Sequence, residues 1–111
     1  MKKGKFFIWI KKDGKKYKQN VNGYIIEYPT TDAGVLLFGA RKRITWEITD
    51  ILSGLLITGG NPDRIVKRRD EILPYIAKFL PRYLEIIKTV VYKQMFKKFN
   101  QLPEYKENED L

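Results

Sequence analysis

The stretch KFFIWIKKDGKKYKQNVNGYIIEY, residues 5–28, decides the fold of this chain. It contains strand-like runs separated by Asp13-Gly14 and by Asn22-Gly23. An Asx-Gly pair between such runs is the strongest short-range signal of a two-residue hairpin, because a type I′ turn requires positive φ at both central positions. The stretch therefore predicts three antiparallel strands joined by two tight turns.

Two-residue turns determine the register of these strands, and side chains alternate between the two faces of a sheet. The first turn pairs Trp9 with Lys18, and the second pairs Lys18 with Glu27. One face collects most of the apolar side chains and is predicted to be the core face: Phe6, Ile8, Ile10, Tyr17, Val21, Tyr24, Ile26 and Tyr28. The other face interleaves two aromatic residues with cations: Phe7, Trp9, Lys11, Lys16 and Lys18.

The chain beyond this stretch predicts further strands and then helices. A continuous apolar run predicts a strand at 35–40, and alternating apolar and polar residues predict another at 44–49. A short apolar run predicts a further strand at 55–58. Asn61-Pro62 is typical of a helix start, Pro74 predicts a kink or break, and Pro81 is expected to open a last helix. The predicted fold class is α+β: an antiparallel β-meander of five or six strands followed by two or three helices packed on one face.

The expected domain organisation is a single domain at 1–102 and an acidic, mobile tail at 103–111. Residues 104–110 hold four acids and one lysine, with almost nothing to bury. The last helix, expected to run to about Phe99, carries an apolar stripe around about half its circumference. Such a stripe favours packing on two sides, against the sheet and against either the first helix or a second subunit. A homodimer through this helix is therefore one of two expectations.

Composition restricts the function classes. Lys and Arg total 22 against 13 Asp and Glu, a net charge of +9, which favours polyanionic partners such as nucleic acid, an acidic protein surface or anionic lipid. The chain has no Cys and no His, so it has no disulfide, no thiol chemistry and no histidine general base. We find no catalytic, metal or cofactor signature. No apolar run approaches the roughly 18 residues of a membrane span, and no signal peptide is recognisable, so a soluble cytoplasmic protein without membrane contact is expected.

Two groups of residues are candidates for nucleic-acid binding. Aromatic rings flanked by cations bind single strands, since bases stack on the rings and lysines neutralise phosphates. The aromatic and basic sheet face with Phe7 and Trp9 has this composition. Alternatively, Trp9 is shielded by Lys18, or helices cover this face. The second group is the basic hairpin tip, where arginines can bind phosphates in bidentate fashion: Arg41, Lys42 and Arg43.

The segment Trp46–Gly60, WEITDILSGLLITGG, resembles a W-x-[VI]-T-D-x-x-[ST]-G-x-x-I pattern in small proteins of phages, plasmids and conjugative elements. The resemblance implies an accessory protein of a mobile element and no particular activity. Within the segment, the hydroxyls of Thr49 and Ser53 are expected to brace the loop together with the Asp50 carboxylate. The order of sheet and helices is also similar to single-strand-binding folds of the Whirly type, which dimerise through helices.

The expected function is non-enzymatic nucleic-acid binding, with single strands favoured. Two alternatives stay open at this point. One is a protein-binding modulator or inhibitor of a host complex that uses the basic surface against an acidic partner. The other is a self-associating structural protein.

Overall fold

The computed structural model describes residues 1–106 and shows an α+β fold. One four-stranded antiparallel sheet has the strand order β1-β2-β3-β4, a meander, and two α-helices follow it. The predicted fold class is confirmed, whereas the expected five or six strands are wrong. The elements are β1 (Lys2–Lys12), β2 (Lys15–Pro29), β3 (Val35–Lys42), β4 (Trp46–Asp50), α1 (Ile72–Ile86) and α2 (Val90–Gln101).

The first predicted hairpin is confirmed. Asp13 and Gly14 have φ values of 51° and 77°, as a two-residue turn with positive φ requires. Lys12 pairs with Lys15 and Trp9 with Lys18, which is the register that the turn predicts.

The second predicted hairpin is wrong, because β2 continues through Asn22 and Gly23. Both residues pair with β1, opposite Lys5 and Gly4, and Gly23 lacks the positive φ of a type I′ turn. A β-carbon on Gly23 would lie 2.3 Å from the Ala40 carbonyl oxygen. The glycine therefore permits a close approach of β3 to β2, which is the other common use of glycine in a strand.

The missing turn changes which side chains share a face. Without it, Tyr24, Ile26 and Tyr28 lie on the same face as Trp9, and the pairing of Lys18 with Glu27 does not occur. The hydrophobic core forms on this face, where side chains of β2, β3 and β4 pack against residues of the helices and the preceding loop: Ile26, Phe38, Ala40, Trp46, Ile48, Ile57, Val66, Ile72, Ile76 and Tyr83.

The face predicted to be the core is the opposite one. Phe6 is buried there, because its ring lies over Gly23 and Gly39, where a β-carbon would approach the ring to 2.8 and 2.6 Å respectively. Ile8 and Val21 on the same face are only half-buried. This outer face thus has one tightly packed aromatic ring and a partly open apolar surface.

The predicted strand at 55–58 is a loop that folds back along β4. The Ile57 amide donates to the Ile48 carbonyl, and the Asp50 amide donates to the Leu55 carbonyl. Gly54 has a φ of 72°, which reverses the chain between these contacts. The Tyr75 hydroxyl donates to the Ile57 carbonyl and joins the loop to α1.

The helices begin and end at other residues than predicted. Pro62 starts only a short 3₁₀ turn to Arg64, and α1 begins at Ile72. Pro74 lies in the first turn of α1, where backbone amides have no hydrogen-bond partner within the helix. The predicted kink or break of a helix before Pro74 is therefore wrong. Pro81 lies inside α1 instead of opening a new helix.

The expected last helix is divided between α1 and α2. Thr89 caps α2, since its hydroxyl accepts a hydrogen bond from the Tyr92 amide at 3.1 Å. The wide apolar stripe therefore belongs to two separate helices, α1 to Ile86 and α2 from Val90. Tyr92 and Phe99 face the core, while Val90 and Val91 are both 67% exposed. The homodimer stays a prediction, but the width of the stripe no longer supports it.

A buried polar cluster joins β4, the loop after it and α2. Asp50 is fully buried, and its Oδ2 accepts hydrogen bonds from the Ser53 hydroxyl at 2.7 Å and the Tyr92 hydroxyl at 2.5 Å. Its Oδ1 has no hydrogen-bond partner among residues 1–106. The predicted bracing of the loop is confirmed for Ser53 and Asp50, whereas the Thr49 hydroxyl makes no hydrogen bond within residues 1–106. Tyr92 adds a contact that the sequence did not predict.

The segment after α2 packs against β2. The Lys18 amide donates to the Pro103 carbonyl, and the Tyr105 amide donates to the Lys18 carbonyl. The Tyr105 ring lies 5.6 Å from the Tyr17 ring. These residues belong to the segment that the sequence assigns to the acidic tail; residues 107–111 of that tail lie outside the described residues.

Candidate nucleic-acid interface

The register of the first hairpin places the five predicted residues of the aromatic and basic face on one side of the sheet. These are Phe7, Trp9, Lys11, Lys16 and Lys18. Diagonal neighbours contact each other: the Lys18 ammonium lies 5.0 Å from the Phe7 ring centroid, and the Lys16 ammonium lies 5.4 Å from that of Trp9. The structure therefore brings this predicted group together.

Helix α2 covers the Trp9 end of this face. The Trp9 ring lies 5.6 Å from the Phe99 ring, and its indole N–H donates to the Ser53 carbonyl at 3.4 Å. The Lys18 ammonium reaches the Asn100 carbonyl at 3.5 Å. Trp9 is thus half-buried and held in place by α2, so one of its ring faces is closed to a stacking base.

An open strip remains on the same sheet face between the two helices. Residues of α1 cover the sheet at Ile26, and α2 covers it at Trp9. Six side chains lie between the helices: the four polar ones are exposed, and the two aromatic ones are half-buried. We call this surface the hairpin strip; it consists of Lys3, Lys5 and Phe7 from β1 and Asn20, Asn22 and Tyr24 from β2.

Further cations lie at the Tyr24 end of the hairpin strip. The Arg69 guanidinium lies 4.6 Å from the Tyr24 ring centroid, and the Trp46 ring lies 6.0 Å from Tyr24. Lys42 lies over Trp46, with 5.9 Å between ammonium and ring centroid, and donates to the Lys67 carbonyl at 3.3 Å. The loop before α1 and the end of β3 therefore extend the positive charge of the hairpin.

These cations are not neutralised by neighbouring acids. Among residues 1–106, no carboxylate pairs with Lys3, Lys5, Lys42 or Arg69. The nearby Asp70 instead pairs with Arg68, at 3.4 Å. The hairpin strip and its surroundings consequently form a field of one sign, which attracts anions.

The structure separates the three residues of the predicted basic tip. Arg41 points to the outer sheet face and forms an ion pair with Glu47, with 2.9 Å between Nη2 and Oε1. Lys42 lies on the face of the hairpin strip, and Arg43 is exposed in the turn after β3. Lys42 is the member of this group that joins the predicted sheet face.

Sequence reasoning missed Lys3, Lys5, Tyr24 and Arg69. Tyr24 was assigned to the other face by the turn expected at Asn22-Gly23. The alternation of Lys3 and Lys5 with Phe7 was visible in the sequence and could have identified both lysines. No sequence signal connects Arg69 to Tyr24, since that contact depends on the path of the loop before α1.

Two tyrosines with raised pKa values, Tyr83 and Tyr92, lie away from the hairpin strip. Burial raises the pKa of Tyr92 to about 12, and its hydrogen bond to Asp50 acts in the same direction. Burial and the charge of Asp50 also raise the pKa of Tyr83. Both groups stay protonated near neutral pH and serve the packing of α1 and α2. Within residues 1–106, no three acidic side chains converge in a way that could bind a metal ion.

Comparisons with family models, with curated proteins and with solved structures found no match to this chain. In the part of the chain that the structure describes, neither helix is long and apolar enough to cross a membrane.

Proposed function

We propose that this protein is non-enzymatic and binds single-stranded nucleic acid at the hairpin strip. One observation carries the proposal. An open sheet face presents two aromatic rings and two amide side chains, Asn20 and Asn22, beside cations that no carboxylate of residues 1–106 neutralises.

Each kind of side chain has a role in binding. Lys3, Lys5, Lys42 and Arg69 neutralise phosphates, and the release of counterions contributes much of the affinity. Lys18 lies over Phe7 and Arg69 lies over Tyr24, so bases stack on the ring surface that these cations leave open, at about 1–3 kcal/mol per base. The rings are four residues apart along the hairpin, or about 13 Å at about 3.3 Å per residue.

Single strands are favoured over duplex because stacking on a protein ring requires an unpaired base. The asparagine amides can donate to and accept from the base edges that an unpaired strand exposes. The proposed site therefore combines backbone neutralisation with weak, sequence-tolerant base contacts.

Fluorescence anisotropy of a labelled oligothymidylate, titrated at several salt concentrations, tests the proposal. Four phosphate contacts predict a slope of about −3 in a plot of log affinity against log salt, from about 0.7 per phosphate of a single strand. The double variant Lys3→Glu/Lys5→Glu is expected to bind more than tenfold more weakly at low salt, with a slope that is smaller by about 1.4.

The matched control is Lys78→Glu/Lys88→Glu, which makes the same charge change on α1 and the turn after it. It should retain most of the affinity. Absence of binding at low salt, or an equal loss in both double variants, would show that the hairpin strip is not a nucleic-acid site.

An acidic protein surface is the second candidate partner, because the same uncompensated cations attract carboxylates as well as phosphates. A pull-down from lysate with and without nuclease separates the two. A partner that is retained after nuclease treatment and lost in Lys3→Glu/Lys5→Glu would favour the protein.

A further inference from the structure

A groove of about 640 Å³ lies between the hairpin, the loop after β4 and α2. It is larger than the concavities at the hairpin strip and beside α1, and its volume is in the range of about 300–1,000 Å³ that is usual for small-molecule sites. It begins at Trp9, beyond the hairpin strip, and includes residues of the outer sheet face.

The walls of the groove are mainly apolar. They are formed by Ile8, Trp9, Leu55, Leu56, Val91 and Met95. Leu56 and Val91 are 47% and 67% exposed, so a ligand in the groove would remove apolar surface from water. The contacts of Trp9 with Phe99 and Ser53 hold one wall in position before any ligand arrives.

The charged side chains of the groove leave an excess of two positive charges. Arg41 and Glu47 neutralise each other through their 2.9 Å ion pair. Lys16 and Lys98 also line the groove, and neither has a carboxylate partner among residues 1–106. Two cations without a carboxylate partner in the described chain thus line the same groove as the apolar side chains.

We propose that the groove binds a small amphipathic carboxylate, with its apolar body against Leu55, Leu56, Val91 and Met95 and its carboxylate at Lys16 and Lys98. A neutral apolar molecule would leave both lysines without a partner. An anion without an apolar body would leave the walls exposed. This site is independent of the nucleic-acid proposal, because its apolar walls and Lys98 lie outside the hairpin strip.

Decanoate is the probe, with decanol and decyltrimethylammonium as ligands of equal chain length and different head groups. Binding is measured below the critical micelle concentration by calorimetry and by the indole N–H resonance of Trp9. Decanoate should bind at least tenfold more tightly than decanol, and the ammonium compound should bind most weakly. In Lys16→Gln/Lys98→Gln the advantage of decanoate over decanol should disappear, while decanol binding should be unchanged.

Leu56→Asp tests the apolar wall and should abolish binding of both decanoate and decanol. Its matched control is Leu73→Asp on α1, a leucine that is 50% exposed and lies outside the groove. Three results overturn the proposal: no saturable decanoate binding, equal affinity for decanoate and decanol, or unchanged binding in Leu56→Asp. Lys3→Glu/Lys5→Glu should bind decanoate like the original protein, so that failure of the two proposals can be told apart.

Discussion

The hydroxyl of Tyr92 is expected to contribute strongly to stability, and Tyr92→Phe measures its contribution. The substitution keeps the ring, which is 9% exposed, and removes one of the two hydrogen bonds that the fully buried Asp50 carboxylate accepts from side chains. Hydrogen bonds to charged groups are worth about 1.5–3 kcal/mol, and a buried charge that loses a donor is at the upper end. Because Oδ1 of Asp50 already lacks a partner in the described part of the chain, we expect the free energy of unfolding to fall by about 2–3 kcal/mol.

Urea unfolding at neutral pH, followed by circular dichroism, gives the measurement. With a slope of about 1.5 kcal/mol per molar urea, the expected loss shifts the midpoint down by about 1–2 M. Tyr28→Phe is the matched control, since the Tyr28 hydroxyl forms no hydrogen bond within residues 1–106, and it should change stability by less than about 0.5 kcal/mol. A loss in Tyr92→Phe no larger than in this control would refute the assigned role of the Asp50 cluster.

Two further predictions concern pH and backbone packing. The pKa of Tyr92 is raised to about 12, above the value of about 10 that a tyrosine has in the unfolded chain. The contribution of Tyr92 to the free energy of unfolding should therefore be fully present below about pH 10 and be lost as the pH rises to 12. Urea midpoints measured between pH 9 and 12 should decline less steeply in Tyr92→Phe than in the original protein. Gly23→Ala should lower the free energy of unfolding by about 3 kcal/mol, because its β-carbon would meet the Ala40 carbonyl oxygen at 2.3 Å. Gly4→Ala should have a smaller effect in the same assay, since its β-carbon meets only the side chain of Ile25, which can rotate.

The two Asx-Gly pairs show how far local signals predict this fold. Asp13-Gly14 gave the correct register of the seven residue pairs from Lys12 and Lys15 to Phe6 and Val21, because nothing outside the hairpin competes with the turn. Asn22-Gly23 carries the same signal, but its glycine lies against the Ala40 carbonyl of β3, and no local pattern specifies that contact. The one wrong turn placed Tyr24, Ile26 and Tyr28 on the wrong face of the sheet.

The helices show a similar limit. The sequence predicts a kink or break at Pro74 and the start of a last helix at Pro81, whereas both residues lie within α1. Proline is tolerated in a first turn, and where that turn begins depends on the loop before it. The helices are in fact separated at Thr89, a residue type that is typical of an N-cap. The apolar stripe continues through Thr89 in the sequence and predicts one long helix instead.

The candidate site was predicted in part for the same reason. The grouping of Phe7 with Lys16 and Lys18 follows from the first turn alone and is confirmed as a grouping on one face. The contact of Arg69 with Tyr24 and the cover of α2 over Trp9 depend on long-range packing, which no local pattern specifies.

The pairing of Lys18 with Pro103 and Tyr105 has a consequence for the order of folding. The first hairpin can form as soon as it is synthesised, since its contacts are local. Within residues 1–106, the far edge at Lys18 pairs with Pro103 and Tyr105, which emerge from the ribosome after nearly all of the described chain. Contacts between residues so distant in sequence form more slowly than local ones. Until then the backbone groups of Lys18 form an unpaired strand edge of the kind that invites association between chains. Many lysines lie near this edge, so the hairpins of two nascent chains repel each other electrostatically. This repulsion opposes edge-to-edge association.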